Sequence, residues 1–132
     1  MIRASVVLAD DHEEFLAVER GLLEPEFEVV QSVRDGRAAV EAAAEFEPDI
    51  LVLDISMPVV DGIAAARSLQ ASGSRARIVI LTVHRDPDYA SAALAAGALG
   101  YVVKQRLASD LLPALREVLA GRLFISSSIS QG

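Results

Sequence analysis

Four short apolar runs in this chain end on residues able to do chemistry. SVVLA is followed by Asp10 and Asp11, ILVL by Asp54, RIVIL by Thr82 and GYVV by Lys104. Brought together, three carboxylates, a hydroxyl and an ammonium define a narrow chemistry. Three close carboxylates repel one another and cannot all stay ionised without a compensating charge. With oxygen donors and no cysteine, the compensating ion is a hard divalent cation. Mg²⁺ fits, because it keeps several waters and takes only one or two carboxylates directly. Such an ion with Lys104 and the Thr82 hydroxyl forms a receptor for a phosphoryl group. An aspartate in the group can be the nucleophile, giving an aspartyl phosphate.

Each residue alone has an ordinary reading. Asp10-Asp11 can cap a helix, Thr82 can be a strand residue, and Lys104 can be a solvated surface lysine. Asp54 can form the turn ahead of Met57-Pro58. What sets them apart is a shared position, each at the carboxyl end of a strand-like run. His12 and His84 lack metal-ligand spacing and read as non-ligands.

The elements that must position these groups follow from pattern. Strands are expected at residues 5–9, 27–33, 49–54, 77–82 and 100–104, which are short, rich in Val and Ile, and bounded by turn residues. The first, third and fourth are apolar throughout, as in strands covered on both faces. Helices are expected between them, at 13–23, 37–46, 63–71, 87–96 and 110–120. The first shows helical spacing at Phe15, Val18 and Leu22. Asp35 and Asp86 are cap residues, the latter before Pro87 at the first helical position, and Gly97 and Gly121 are stops. Pro113 is tolerable in or near the first turn of the last helix. Five strands alternating with five helices imply right-handed crossovers and a doubly wound parallel α/β sheet. Its ligands sit beyond the carboxyl ends of the strands.

Composition narrows the function classes. A net charge of -7 argues against this chain itself gripping nucleic acid, which needs an excess of Lys and Arg. No apolar run approaches a membrane span, and Met1 leads into a strand with no signal-peptide pattern. The absence of cysteine fits a reducing, cytoplasmic setting. The Ser-rich tail FISSSISQG places the domain at residues 1–122, with 123–132 as the start of a linker or a frayed end.

The ordered set LADDH, LDISMPVVDG, ILTVH and GYVVK resembles the receiver domain of two-component response regulators. The resemblance covers about residues 2–121 and is strongest to the NarL/FixJ-type subfamily, whose receivers usually precede a helix-turn-helix DNA-binding domain. It implies a flavodoxin-like fold with strand order 2-1-3-4-5. It implies that Asp54 is the phosphoacceptor, taking its phosphoryl group from a sensor histidine kinase. Asp11, Asp54 and the backbone carbonyl of Ser56 would ligate Mg²⁺, with Asp10 acting through water. Thr82 and Lys104 would bind phosphoryl oxygens. Tyr101 would be the switch aromatic that packs inward with Thr82, changing the surface around the fourth helix and fifth strand. Ser56 and His84 would tune phosphate lifetime.

A homodimer on phosphorylation is a candidate partner state and no membrane partner is expected, with DNA contact only through a domain outside this chain and no enzymatic activity beyond self-phosphorylation and self-dephosphorylation. Two positions depart from the common pattern. Gln105 replaces a frequent cis-proline, so a trans bond is expected, and Val83 is larger than the usual Ala, Gly or Ser. The alternatives are a stand-alone receiver or interaction module and an Mg²⁺-dependent aspartyl-phosphate phosphatase. The phosphatase needs a second aspartate two residues after the nucleophile, where Ser56 stands. A flavin binder is disfavoured because DDHEE would repel a phosphate.

Overall fold

Strand and helix segments alternate along the chain because short runs of Val, Ile and Leu bury on two faces, while longer Ala-rich segments bury on one. The computed structural model describes residues 3–127. Its elements are β1 (Ser5–Ala9), α1 (Glu13–Leu23), β2 (Glu28–Val33), α2 (Gly36–Phe46), β3 (Ile50–Leu53), α3 (Gly62–Ala71), β4 (Arg77–Thr82), α4 (Pro87–Ala95), β5 (Gly100–Val103), α5 (Leu107–Leu119) and β6 (Phe124–Ile125). The strands pair in parallel in the order β2-β1-β3-β4-β5-β6.

Successive strand residues point to opposite faces, which divides the core in two. Val7, Leu51, Leu53 and Ile80 face Ala39, Ala65, Leu69 and Ala93 of α2, α3 and α4. Val6, Leu8, Val52 and Leu81 face Leu16, Leu23, Leu111 and Leu115 of α1 and α5. Because β1 has β2 on one side and β3 on the other, the chain changes direction there, and a crevice opens beyond their carboxyl ends. Three aspartates start helices as side-chain caps. Asp35 accepts from the Ala38 amide, Asp61 from Ala64 and Asp86 from Asp88, each at 2.8 Å.

The sheet differs from expectation at one edge, with six strands instead of five. β6 comes from residues read as linker or frayed tail and pairs with β5 through Gly100↔Phe124 and Tyr101↔Ile125. Phe124 packs on the α1–α5 core, and the Ser126 amide donates to the Tyr101 carbonyl at 2.9 Å. The buried Ser126 hydroxyl donates to Asp110 Oδ2 at 2.8 Å and accepts from the Val103 amide at 3.2 Å. A two-residue strand is too short to show a period, and its Ser-rich surroundings read as linker. Residues 128–132 of that tail lie outside the described residues.

Ser126→Ala strips a partner from both Val103 and Asp110. It should cost about 1–2 kcal/mol, the scale of a buried group left unsatisfied. The change should appear in the urea unfolding midpoint.

Helix α5 also begins earlier than expected, at Leu107, because Leu107 and Leu111 both bury one turn apart. Lys104–Arg106 forms a 3₁₀ turn ahead of it. Pro113 therefore lies inside the helix, where the amide that would bond Ser109 is missing. No peptide bond among the described residues is cis, so Lys104 and Gln105 are joined in trans as expected. Among the described residues, no helix is long and apolar enough to cross a membrane.

Candidate functional site

The sheet delivers its chemistry to one rim. Asp10 and Asp54 leave the adjacent strands β1 and β3, and the Asp54 amide donates to the Ala9 carbonyl at 3.0 Å. Thr82 closes β4 and Lys104 follows β5; Asp10, Asp54, Thr82 and Lys104 are all buried. Lys104 Nζ lies 2.7 Å from Asp10 Oδ2 and 3.2 Å from Asp54 Oδ2. It also sits over the Phe15 ring, 4.0 Å from the centroid, a cation–π contact.

One ammonium serves two buried carboxylates, so the charges do not balance. Burial pushes the Asp54 carboxyl above its usual range and the Asp10 charge adds to this, against the opposing pull of Lys104 and the Ser56 amide. For Lys104, burial works to lower the pKa. Its hydrogen bonds to Asp10 and Asp54 and their charges outweigh that and raise it.

Asp11 stands at the mouth, partly exposed. Asp10, Asp11, His12 and Asp54 each offer a ligand atom, and these atoms lie within 4.8 Å of one another. The excess negative charge and the hard oxygen donors fit a divalent cation such as Mg²⁺. His12 does not stand apart, as its spacing suggested. Its Nδ1 is 2.9 Å from Asp11 Oδ1 and 3.2 Å from Asp10 Oδ1.

A second cluster frames the rim on the β4 side. Ser56 Oγ and His84 Nε2 are 3.0 Å apart. The His84 ring stacks on Tyr89, with centroids 4.1 Å apart. The His84 amide donates to Thr82 Oγ1 at 3.3 Å. The Tyr101 hydroxyl donates to the His84 carbonyl at 2.8 Å, and Tyr101 is fully buried; burial raises its pKa. Ser56, Thr82, His84 and Tyr101, drawn from three separate stretches of chain, thus form one continuous set. Val83, between Thr82 and His84, is exposed, as is Val59, and Val59 holds φ 70, an unusual backbone conformation for a β-branched residue.

Glu19 was not singled out from sequence. The buried stripe of α1 is Leu16, Glu19 and Leu23, not the stripe through Phe15, Val18 and Leu22; Val18 is exposed. Glu19 is fully buried, and neither carboxyl oxygen has a hydrogen-bond partner among the described residues. Burial first, then the charges of Asp10 and Asp54, push its pKa up to about 8 against the pull of Lys104. The signal was its place between Leu16 and Leu23 at helical spacing.

Residues 6–116 match the response regulator receiver domain family. The chain belongs to this family. Receiver domains are signalling switches that bind Mg²⁺ at an acidic pocket. This receiver is 36% identical over 130 residues to the transcriptional regulatory protein DegU of Brevibacillus brevis, covering 97% of this chain and 55% of DegU. It is 33% identical over 129 residues to the response regulator UvrY of Escherichia coli, covering 96% of this chain and 59% of UvrY. The chain thus spans about half the length of the curated relatives it matches.

Among solved structures, a LuxR-family two-component response regulator from Aurantimonas superposes with a TM-score of 0.92 at 36% identity, covering 98% of this receiver and 94% of that chain. The isolated receiver of RcsB from Salmonella enterica, solved with a phosphomimetic, gives 0.89 at 30% identity, with 98% of each chain covered. The flavodoxin-like fold expected from sequence is therefore the fold of this receiver, extended by the short β6.

Proposed function

We propose that this receiver is set by Mg²⁺-dependent transfer of a phosphoryl group from a sensor histidine kinase to Asp54. The observation that carries this reading is Lys104 Nζ, buried between Asp10 and Asp54 where β1, β3 and β5 converge. Asp11, Asp54 and the Ser56 carbonyl would hold the cation, with Asp10 reaching it through water. When bound, the ion offsets the carboxylate charge and the charge of the phosphoryl oxygens. The Asp54 carboxylate oxygen bonds to phosphorus as the bond from phosphorus to the kinase histidine nitrogen breaks. Lys104, still tied to Asp10, exchanges Asp54 Oδ2 for a phosphoryl oxygen.

Thr82 donates its hydroxyl to a second phosphoryl oxygen. The His84 amide bonds that hydroxyl and the His84 carbonyl holds Tyr101, so a shift of Thr82 is felt on β5. The surface around α4 and β5 then favours one of two arrangements. Ser56 and His84, in contact beside the acceptor, set how readily water reaches the acyl phosphate.

The receiver unit in this reading runs through Ser126. Its output is control of transcription through a DNA-binding domain outside this chain, since DegU is a transcriptional regulatory protein and RcsB forms dimers bound to DNA. A homodimer formed on phosphorylation and a cytoplasmic setting complete the proposal.

Intact mass after incubation with acetyl phosphate and Mg²⁺ tests the acceptor. The wild type should gain one phosphoryl group and Asp54→Asn none. Equal uptake by Asp54→Asn would assign the chemistry to another residue.

A further inference from the structure

Lys104 reaches the acid group from a turn, not from a strand. It opens the 3₁₀ segment Lys104–Arg106, between the end of β5 and the start of α5. Between the buried Val103 and Leu107 this turn carries no apolar side chain, so hydrogen bonds must fix its path. Its two ends are tied to one pair of buried groups, Ser126 and Asp110. On the β5 side, Ser126 Oγ accepts from the Val103 amide at 3.2 Å, and the Ser126 amide donates to the Tyr101 carbonyl at 2.9 Å. On the α5 side, Asp110 Oδ2 accepts from Arg106 Nε at 3.0 Å. The Ser126 hydroxyl closes the ring by donating to the same oxygen at 2.8 Å. Burial works to raise the Asp110 pKa, but hydrogen bonds from Ser126, Arg106 and Ser109 outweigh it and lower it. The carboxylate therefore stays ionised, and bonds to it are roughly twice as strong as neutral ones.

We propose that Ser126 and Asp110 are positioning residues for Lys104. They clamp Val103 and Arg106 on either side of Lys104 and Gln105, and so hold Nζ where it stands between Asp10 and Asp54 and can meet a phosphoryl oxygen. Among the described residues neither one bonds the Lys104 side chain, whose partners are Asp10 and Asp54, so their effect on Nζ passes through the backbone of the turn. The inference rests on the role given to Lys104 in the preceding section and extends the site to the end of β6, which lies outside the acid group. The coupling runs both ways. A shift of Lys104 on phosphorylation is felt at Ser126, and loosening Ser126 is felt at the acceptor.

The test follows phosphoryl uptake from acetyl phosphate with Mg²⁺, by intact mass, on the full chain. The wild type, Ser126→Ala, Lys104→Ala and the double variant form a cycle, with each rate taken per folded molecule from the urea unfolding curve. Lys104→Ala should slow uptake strongly. Ser126→Ala should slow it about tenfold, short of the roughly 100-fold that a 1 Å misplacement near a reacting centre can cost. On top of Lys104→Ala, Ser126→Ala should change the residual rate by less than about twofold, because the side chain it acts through is already gone. Asp110→Ala, made in the same two backgrounds, should repeat the pattern and provides a second route if one variant folds poorly. A loss of equal size in both backgrounds, or no loss beside an intact Lys104, would overturn the positioning role and leave the reading of Lys104 and Asp54 standing. If Lys104→Ala itself takes up phosphate at the wild-type rate, the role of Lys104 falls and this inference falls with it.

Discussion

Gly62→Ala is expected to destabilise this receiver by about 3 kcal/mol or more, enough to remove a large part of the stability of an ordinary domain. A Cβ at Gly62 would fall 2.0 Å from the Asp54 carbonyl oxygen, 2.8 Å from its carbon and 3.0 Å from the Ile55 Cα. All three are backbone atoms, so no side chain can turn aside. Relief requires moving the start of α3 away from the end of β3. That movement breaks the bond from the Gly62 amide to the Ile55 carbonyl, 2.9 Å in the native fold. The displaced segment carries Asp54 itself. Urea unfolding should therefore show a much lower midpoint, and the fraction still folded should take up phosphate from acetyl phosphate more slowly. An unfolding free energy within about 1 kcal/mol of the wild type, about a third of the cost assigned here, would mean that the loop absorbs the methyl group.

The second large effect concerns Glu19. Its pKa in the folded protein, about 8, lies above the 4.5 of a free glutamate, so folding favours the protonated form. With respect to this group, the fold is at its best below pH 4.5. Stability is lost progressively as pH rises from 4.5 to about 8 and is level above that. The cost at the alkaline end is on the order of 5 kcal/mol. Glu19→Leu completes the apolar stripe of Leu16 and Leu23 and removes the cost. In the absence of divalent ions, the variant should be more stable at pH 8, and its advantage should shrink by pH 5. An advantage of equal size at both pH values would show that Glu19 finds a partner in solution. The buried carboxyl also feels Asp10, Asp54 and Lys104, so the variant should shift the pH profile of phosphoryl uptake.

The legible parts of this receiver were those governed by local chemistry. β1, β3 and β4 announced themselves because both faces bury, leaving no polar alternation to dilute the apolar run. Asp35 and Asp86 were legible as caps because a short acidic side chain ahead of a helical pattern has few other uses there. The rim residues were legible as a set because parallel strands send their carboxyl ends one way. What escaped depends on contacts between distant segments. β6 forms only because β5 has a free edge and Phe124 finds the α1–α5 core. The early start of α5 depends on Leu107 burying against the sheet. Glu19 was hidden because a charged residue is assumed to face water, and its neighbours Phe15 and Val18 suggested a stripe one position away. The meeting of Ser56 with His84 across 28 residues has no trace in either local sequence.

The environment of His84 has a consequence for how this molecule can be watched. The chain has no tryptophan and two tyrosines. One, Tyr89, stacks on the imidazole of His84, and the other, Tyr101, bonds its carbonyl. Every ultraviolet chromophore of the tyrosine class therefore sits against the same residue, two positions beyond Thr82. Beyond the phenylalanine bands, the tyrosine absorbance, dichroism and emission of the native chain form a label-free gauge of that one loop.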